Sequence, residues 1–233
     1  MSTENSTGDQ TCPICGNWMV LHTKPCETPP DKTYRAIRHD VTRKKQRENS
    51  NEVHHPEQKK AQIDKILEGK TDLKIMELFA GHGNLTSTYN QYIGEKGFLE
   101  QYDKELKTGD SYLLFHKLIA ERRKYDVIDV DPYGFPVKFL PDGFLLMQDG
   151  IMFMTMPKPW VNIANGITKQ LLTCYFGSGK PSLEVIQEKI RLYALCHWRS
   201  VEYLDVIDFG RLWRMVMRVK RVKATEYTGV RNR

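Results

Sequence analysis

The sequence predicts an α/β fold in which helices cover both faces of a mostly parallel sheet. From about residue 72 onwards, short apolar segments of strand character alternate with amphipathic segments of helical spacing, and this alternation is typical of parallel sheets with crossover helices. The last two apolar segments, 201–209 and 212–222, are separated by a short link at Gly210. Because strands joined so directly can pair only antiparallel, we expect one antiparallel strand near the end of the chain.

The individual elements follow in chain order. Pro56 begins a helix with a modest apolar face, and Gly69 ends it. The clearest amphipathic helix is 182–198, where apolar residues recur at helical spacing. The other predicted strands are 73–79, 97–103, 125–131 and 150–157, and the other predicted helices are 85–95, 111–124 and 137–149.

The composition is that of a soluble globular protein, with 40% hydrophobic and 27% charged residues among 233. No apolar run approaches the ~20 residues of a membrane-spanning helix, and the polar first residues do not resemble a signal peptide. Five cysteines fit a reducing compartment better than a disulfide framework. We therefore expect a cytoplasmic protein that does not enter a membrane.

The net charge of +6 is unevenly distributed along the chain. Residues 211–233 carry eight Lys/Arg and one Asp/Glu, and residues 31–47 carry seven and two, whereas residues 71–210 carry fifteen and eighteen. Two basic flanks around a near-neutral core predict a polyanionic partner, because phosphate neutralisation supplies much of nucleic-acid affinity. The alternative is a charged segment that only increases solubility.

A glycine-containing turn follows the first predicted strand. The segment from Glu77 to Thr86 runs from strand into helix and contains Gly81 and Gly83, which allow a tight turn and a close approach to a ligand. A dinucleotide fingerprint would need a third glycine where this chain has Thr86. Taken alone, the G-x-G pattern is a weak signal.

Two acids after the turn strengthen that signal. Asp103 ends the next predicted strand and is placed to accept both hydroxyls of a ribose, and Asp110 lies in another polar loop where an adenine could be bound. Loops of this kind meet at the carboxyl edge of neighbouring parallel strands, where open α/β sheets bind ligands. The alternative is a nucleotide-free domain with ordinary turns.

This series resembles the cofactor loops of class I S-adenosylmethionine-dependent methyltransferases. The resemblance implies a Rossmann-like fold with a seven-stranded, mostly parallel sheet whose last strand is antiparallel. It also implies that Glu77, Gly81 and Gly83 surround the methionine part of S-adenosylmethionine, while Asp103 holds the ribose and Asp110 contacts adenine. The full set of cofactor-binding residues implied is Glu77, Phe79, Gly81, Gly83, Asn84, Asp103, Asp110 and Asp131.

A second motif, Asp131-Pro132-Tyr133, ends the strand that follows. An exocyclic base amine is a poor nucleophile, because its lone pair is delocalised into the ring. A carboxylate that accepts the amine protons favours a nitrogen whose lone pair faces the methyl group, and a stacked aromatic ring positions the base. The alternative is an ordinary turn after a buried strand. Asp131, Pro132 and Tyr133 are the predicted catalytic residues, and Tyr133 is also a predicted substrate contact.

The string from Asp131 to Pro136 resembles the D/N-P-P-Y/F motif of amino-methyltransferases and, more closely, the D-P-F-G-x-P signature of the tRNA guanine-N2 dimethyltransferase family. This resemblance implies that Asp131 contacts the target amine and that Tyr133 lies beside the base. Methylation of cytosine C5 is disfavoured, because it needs a nucleophilic cysteine in this loop, and both Cys174 and Cys196 lie far beyond it.

A Pro-rich loop after the fourth predicted strand, 150–157, contains Lys158 and Trp160. Trp160 can stack on a nucleobase and Lys158 can meet a phosphate. A tryptophan that packs on its own domain is an equal alternative.

Four soft ligands lie within fifteen residues near the start of the chain: Cys12, Cys15, His22 and Cys26. The pair Cys12-x2-Cys15 followed by glycine predicts a structural zinc knuckle, in which another histidine can replace His22. Such a site would position the basic segment that follows. The alternative is a set of reduced cysteines in a flexible leader.

These observations predict a basic extension over 1–55, a methyltransferase domain over 56–223 and a basic tail over 224–233. The main functional hypothesis is methyl transfer from S-adenosylmethionine to an exocyclic amine of a nucleobase, with guanine N2 in RNA before adenine N6 in DNA or RNA. The alternatives are a methyltransferase acting on a protein amide or small molecule, and a non-catalytic nucleic-acid-binding module.

Overall fold

The structure is a computed structural model that describes residues 55–81, 83–103, 111–132, 134–159 and 168–223. These residues belong to one compact unit that begins at His55. No helix of the described ranges is long and apolar enough to cross a membrane.

The elements alternate between helix and strand. The helices are α1 (Pro56–Leu67), α2 (Thr86–Tyr89), α3 (Ser111–Ala120), α4 (Leu140–Leu146), α5 (Lys169–Phe176) and α6 (Leu183–Cys196). The strands are β1 (Lys74–Leu78), β2 (Phe98–Tyr102), β3 (Val127–Val130), β4 (Asp149–Pro157), β5 (Arg199–Asp208) and β6 (Leu212–Arg221). Helix α5 was not predicted. It begins at Thr168, whose hydroxyl accepts the N–H of Leu171, and it ends before Gly177 in the left-handed conformation.

The sheet confirms the predicted Rossmann-like, mostly parallel α/β fold, with one correction. Its order is β2-β1-β3-β4-β6-β5, and β6 runs antiparallel to both of its neighbours while the other strands are mutually parallel. The described residues form six strands, so the expectation of seven is wrong for this part of the chain. A seventh strand beyond β2 would have to lie between β2 and β3 in the chain. Only 24 residues separate Tyr102 from Val127. That length suits one helical crossover but is too short for two crossovers and a further strand.

Strand alternation divides the core between the two faces of the sheet. In β1, Met76 and Leu78 point to one face and Ile75 to the other. Helices α3, α4, α5 and α6 pack on the first face, and α1 and α2 pack on the second. The prediction that helices cover both faces is therefore confirmed.

Candidate active site

Three neighbouring parallel strands end at the same edge of the sheet. Leu78 at the end of β1 is paired with Tyr102 of β2 and with Val130 of β3. The glycine turn, Asp103 and Asp131 follow these strands, so they leave the sheet side by side at its carboxyl edge. This is the juxtaposition that the sequence predicted.

The glycine turn is bonded directly to the acid after β2. Phe79 donates its N–H to the carbonyl of Tyr102 at 2.7 Å, and the N–H of Gly81 donates to Asp103 Oδ2 at 3.0 Å. Gly83 has φ +74°, and a Cβ there would lie 2.8 Å from Thr86 Oγ1. Phe79 also has a positive φ of 62°, a conformation that costs free energy in a residue with a side chain. Asp103 thus holds the turn in shape.

Glu77 is a buried carboxyl group directly beneath the turn. Gln101 donates to Glu77 Oε2 at 2.8 Å, and Thr86 lies 3.5 Å from the same oxygen. Burial, with a smaller contribution from Asp129, raises the pKa of Glu77 to about 7 despite the Gln101 hydrogen bond. Glu77 can therefore exchange a proton near neutral pH.

A buried ion pair that the sequence analysis missed supports the base of the site. Arg214 of β6 donates from both terminal nitrogens to Asp129 of β3, at 2.6 and 3.2 Å, and to Thr155 Oγ1 at 2.9 Å. Tyr89 donates its hydroxyl to Asp129 Oδ2 at 2.6 Å. Burial acts to lower the pKa of Arg214, but Asp129, Tyr89 and Asp131 together outweigh burial and raise that pKa above its ordinary value.

The sequence did carry a signal for this pair. Asp129 and Arg214 each interrupt an apolar strand, and a charge in the middle of such a strand is rarely buried without a partner.

Asp131 is held by a lysine from the first helix. Lys59 Nζ lies 2.5 Å from Asp131 Oδ2; the lysine side chain is 2% exposed and that of Asp131 is 22% exposed. Burial acts to raise the pKa of Asp131, but the charges of Lys59 and Arg214 together lower it below its ordinary value. Asp131 is therefore an ionised carboxylate at the edge of the site, and Pro132 follows it directly.

Lys158, a predicted phosphate contact, is already paired within the protein. Its ammonium donates to Asp208 Oδ2 at 2.6 Å and lies 5.2 Å from the centre of the Trp213 ring. The side chain is mostly buried. The hydrogen bond from Lys158 lowers the pKa of Asp208. Asn84, a predicted cofactor contact, is exposed in the glycine turn.

Several predicted site residues lie outside the described residues. They are Tyr133, Asp110 and Trp160, together with the predicted zinc ligands Cys12, Cys15, His22 and Cys26. Within the described ranges, no group of three or more His, Cys, Asp or Glu side chains is arranged to hold a metal ion. The zinc site stays a prediction of the sequence.

Comparison with known proteins finds similarity in sequence and in fold. The chain is 41% identical over 54 residues to the tRNA (guanine(26)-N(2))-dimethyltransferase of Pyrobaculum arsenaticum, a match that covers 23% of this chain and 14% of that protein. This match confirms the resemblance that the D-P-Y-G-x-P string predicted. No family model matches the chain.

Three solved structures are similar in fold at low sequence identity. Trm1 from Pyrococcus horikoshii in complex with S-adenosyl-L-methionine is 17% identical with a TM-score of 0.49, covering 70% of this chain and 53% of that one. Fibrillarin from Aeropyrum pernix, also with S-adenosyl-L-methionine, is 13% identical with a TM-score of 0.42, covering 64% and 67%. TrmN from Thermus thermophilus is 11% identical with a TM-score of 0.42, covering 70% and 48%.

Proposed function

We propose that this chain is an S-adenosylmethionine-dependent methyltransferase that modifies an exocyclic amine of a nucleobase in RNA. The observation that carries the proposal is the meeting of the glycine turn, Asp103 and Asp131 at one edge of the sheet. A cofactor turn and an acceptor carboxylate must lie side by side for a methyl group to pass between them.

The residues at this edge fit the cofactor. Glu77 offers a buried carboxyl group for an ammonium ion, and Asp103 offers a carboxylate at the end of β2 for ribose hydroxyls. Gly81 has φ +55°, and a Cβ built on it would meet no atom within 4 Å, so the turn borders open space. Glu77, Gly81, Gly83 and Asp103 would hold S-adenosylmethionine, which supplies a methyl group activated on a sulfonium.

Asp131 performs the chemistry that belongs to the protein. The amine nitrogen forms the new bond to the methyl carbon, the electron pair of the carbon–sulfur bond stays on sulfur, and the nitrogen loses a proton. An ionised carboxylate at the sheet edge can accept the hydrogen bond and then that proton. Tyr133 is the predicted platform for the base, and Pro132 keeps the turn between them rigid.

Guanine N2 in RNA is the first candidate for the target, and adenine N6 in DNA or RNA is the second. The short match to a tRNA (guanine(26)-N(2))-dimethyltransferase and the D-P-Y-G-x-P string support the first. The match covers only 14% of the length of that relative, so tRNA as the substrate belongs to the proposal. A role in tRNA processing follows if the tRNA assignment holds.

The positions of the basic side chains indicate how an RNA backbone would approach. Arg214 is fully buried and Lys158 is paired with Asp208, so neither presents an open charge to a phosphate. Arg211 is exposed in the link between β5 and β6, at the same edge as Asp131. Lys220 is exposed near the opposite edge, where β6 ends. Arg211 is therefore better placed than Lys220 to contact the substrate.

Methylation of a protein amide or a small molecule is the alternative enzyme function, because related Asp-Pro-aromatic loops also serve those substrates. A non-catalytic nucleic-acid-binding module is the alternative outside enzymes. The structure describes all five of these acids and glycines: Glu77, Gly81, Gly83, Asp103 and Asp131. All except Glu77 follow the ends of their strands at this edge of the sheet. This clustering supports a catalytic role over a scaffold.

The test is transfer of a labelled methyl group from S-adenosylmethionine to total tRNA, ribosomal RNA and unmethylated genomic DNA. Wild type is compared with Asp131→Ala, and nucleoside analysis of the labelled pool identifies the base. We expect N2-methylated guanosine from tRNA and its loss in the variant. Label on protein or small molecules alone would establish the alternative enzyme function, and failure to bind S-adenosylmethionine would favour the binding module.

A further inference from the structure

Lys59 places a buried ammonium group against the carboxylate that the proposed function makes the proton acceptor. The Nζ–Oδ2 distance to Asp131 is 2.5 Å, and the lysine side chain is 2% exposed. Burying an ammonium ion is costly unless a partner compensates for the lost hydration. If the role of this position in α1 were packing alone, an apolar residue there would give a more stable protein.

Asp131 lies among other groups that act on its charge. Glu77 of β1 and Asp129 of β3 are buried carboxyl groups in neighbouring strands, and the charge of Asp131 contributes to the raised pKa of Glu77. Repulsion between two carboxylates acts on both members of the pair. Burial and the repulsion from an ionised Glu77 favour a protonated Asp131, which could no longer accept a proton from an amine.

Two cations oppose that tendency, but they do so differently. The guanidinium of Arg214 is bonded to Asp129 and to Thr155, so it acts on Asp131 through space. Lys59 is hydrogen-bonded directly to the Asp131 carboxylate. The hydroxyl of Thr155 makes a smaller contribution in the same direction. Lys59 is thus the group whose loss would most change both the charge and the orientation of Asp131.

We propose that Lys59 is a positioning residue that holds the Asp131 carboxylate ionised and in one orientation for methyl transfer. This inference rests on the proposed function. As nitrogen gains its bond to the methyl carbon, its proton passes to Asp131, and the carbon–sulfur electron pair leaves with sulfur. Lys59 keeps its own proton throughout, so the exchange involves the amine and Asp131 only.

The decisive measurement is the titration of Asp131 by carboxyl carbon NMR, with the resonance assigned through Asp131→Asn. It is made on the full chain without substrate, for wild type, Lys59→Met, Lys59→Gln and Lys59→Arg. Lys65→Met is the matched control, because Lys65 lies on the same helix and pairs with Asp205 at 2.9 Å at the surface. Lys59→Gln keeps a hydrogen-bond donor and serves if the methionine variant does not fold.

We expect the Asp131 pKa to rise by ~1 unit or more in Lys59→Met and Lys59→Gln, because an adjacent opposite charge typically lowers a carboxyl pKa by that amount. It should stay near the wild-type value in Lys59→Arg and Lys65→Met. The acid limb of the pH profile of kcat should move with the titration, while KM for RNA stays unchanged. If Lys59 served folding alone, its substitution would lower the melting temperature but would change neither the Asp131 pKa nor the acid limb of the kcat profile.

An Asp131 titration that is the same in wild type, Lys59→Met and Lys59→Gln would overturn the proposal. So would a loss of S-adenosylmethionine binding with an unchanged Asp131 titration, since Lys59 would then be a cofactor contact. Failure of the proposed function is recognised separately, because the wild type would then transfer no methyl group to nucleic acid. In that case, the titration still decides whether Lys59 controls Asp131.

Discussion

Arg214 and Asp129 form a two-pronged ion pair between β6 and β3 with both side chains completely buried. The pair lies across the strand β4, where Thr155 also accepts a hydrogen bond from the arginine. It joins the antiparallel strand β6 to β3, the strand that ends directly before Asp131, the proposed proton acceptor. The geometry of the candidate site thus depends on a contact between residues 85 positions apart.

Breaking this pair should strongly destabilise the protein. Asp129→Asn leaves the Arg214 charge buried without its counter-ion, and we expect a loss of ~3–5 kcal/mol in the free energy of unfolding. Urea denaturation followed by circular dichroism measures it. Arg218→Met is the matched control, since Arg218 pairs with Glu202 on the surface of the same strand, and such pairs contribute ~1 kcal/mol or less. Equal losses in the two variants would contradict a structural role for the buried pair.

Glu77 should make stability depend on pH around neutrality. The folded protein retains the Glu77 proton up to about pH 7, whereas the unfolded chain releases it near the ordinary value of 4.5. Because the folded state binds more protons between these values, the burial of Glu77 lowers stability as pH rises through that window. Glu77→Gln removes this penalty and should gain ~3 kcal/mol relative to wild type between pH 4 and pH 8.

Urea unfolding of wild type and Glu77→Gln at several pH values tests this expectation. Glu202→Gln, which alters an exposed glutamate of β5, controls for the loss of one negative charge. If the difference in stability between wild type and Glu77→Gln stayed constant from pH 4 to pH 8, Glu77 would have an ordinary pKa in the folded protein.

A side chain at Gly83 should destabilise the glycine turn. Gly83→Ala adds a Cβ 2.8 Å from Thr86 Oγ1 at φ +74°, and we expect a loss of ~1–2 kcal/mol in stability with weaker S-adenosylmethionine binding. Gly177→Ala is the matched control, because Gly177 has the same φ but a Cβ there would meet no atom within 4 Å. It therefore measures the backbone strain without the steric contact with Thr86. Calorimetric titration should show weaker cofactor binding in Gly83→Ala alone; unchanged affinity would remove Gly83 from the binding turn.

Arg211 should contribute to RNA affinity more than Lys220 does. Both side chains are exposed, and Arg211 directly precedes β6 while Lys220 lies near its end. Arg211 therefore lies at the sheet edge that carries Asp131, and Lys220 lies near the opposite edge. Arg211→Glu should weaken tRNA binding and reduce the slope of log affinity against log salt by ~1, as expected for one lost phosphate contact. Fluorescence anisotropy at several salt concentrations measures both. The reverse ranking would place the RNA on the opposite edge.

The predicted zinc knuckle is tested by metal analysis of the purified full chain before and after chelation. Four soft ligands in the spacing of Cys12, Cys15, His22 and Cys26 should retain about one equivalent of zinc in a closed structural site. Less than about half an equivalent would argue for free cysteines instead.

The sequence by itself determined the fold class, five of the helices and the sheet edge at which the candidate site lies. Alternation in segments such as 73–79 reports which residues point to each face, and glycines and acids after strands report where a parallel sheet binds its ligands. These are local signals, carried by residues a few positions apart. Helix α5 was missed because it is only eight residues long, so few apolar residues repeat between the cap at Thr168 and the stop at Gly177.

Only the tertiary structure decided which charged side chains meet. Lys59 and Asp131 are 72 positions apart, and Asp129 and Arg214 are 85 apart, so no spacing rule connects them. Their pairing depends on α1 packing against the second face of the sheet and on β6 inserting next to β4. The number of strands in the sheet was likewise decided by the tertiary structure and not by local sequence patterns. Local patterns predict elements, but burial and the packing of distant elements determine partners, protonation and the geometry of the site.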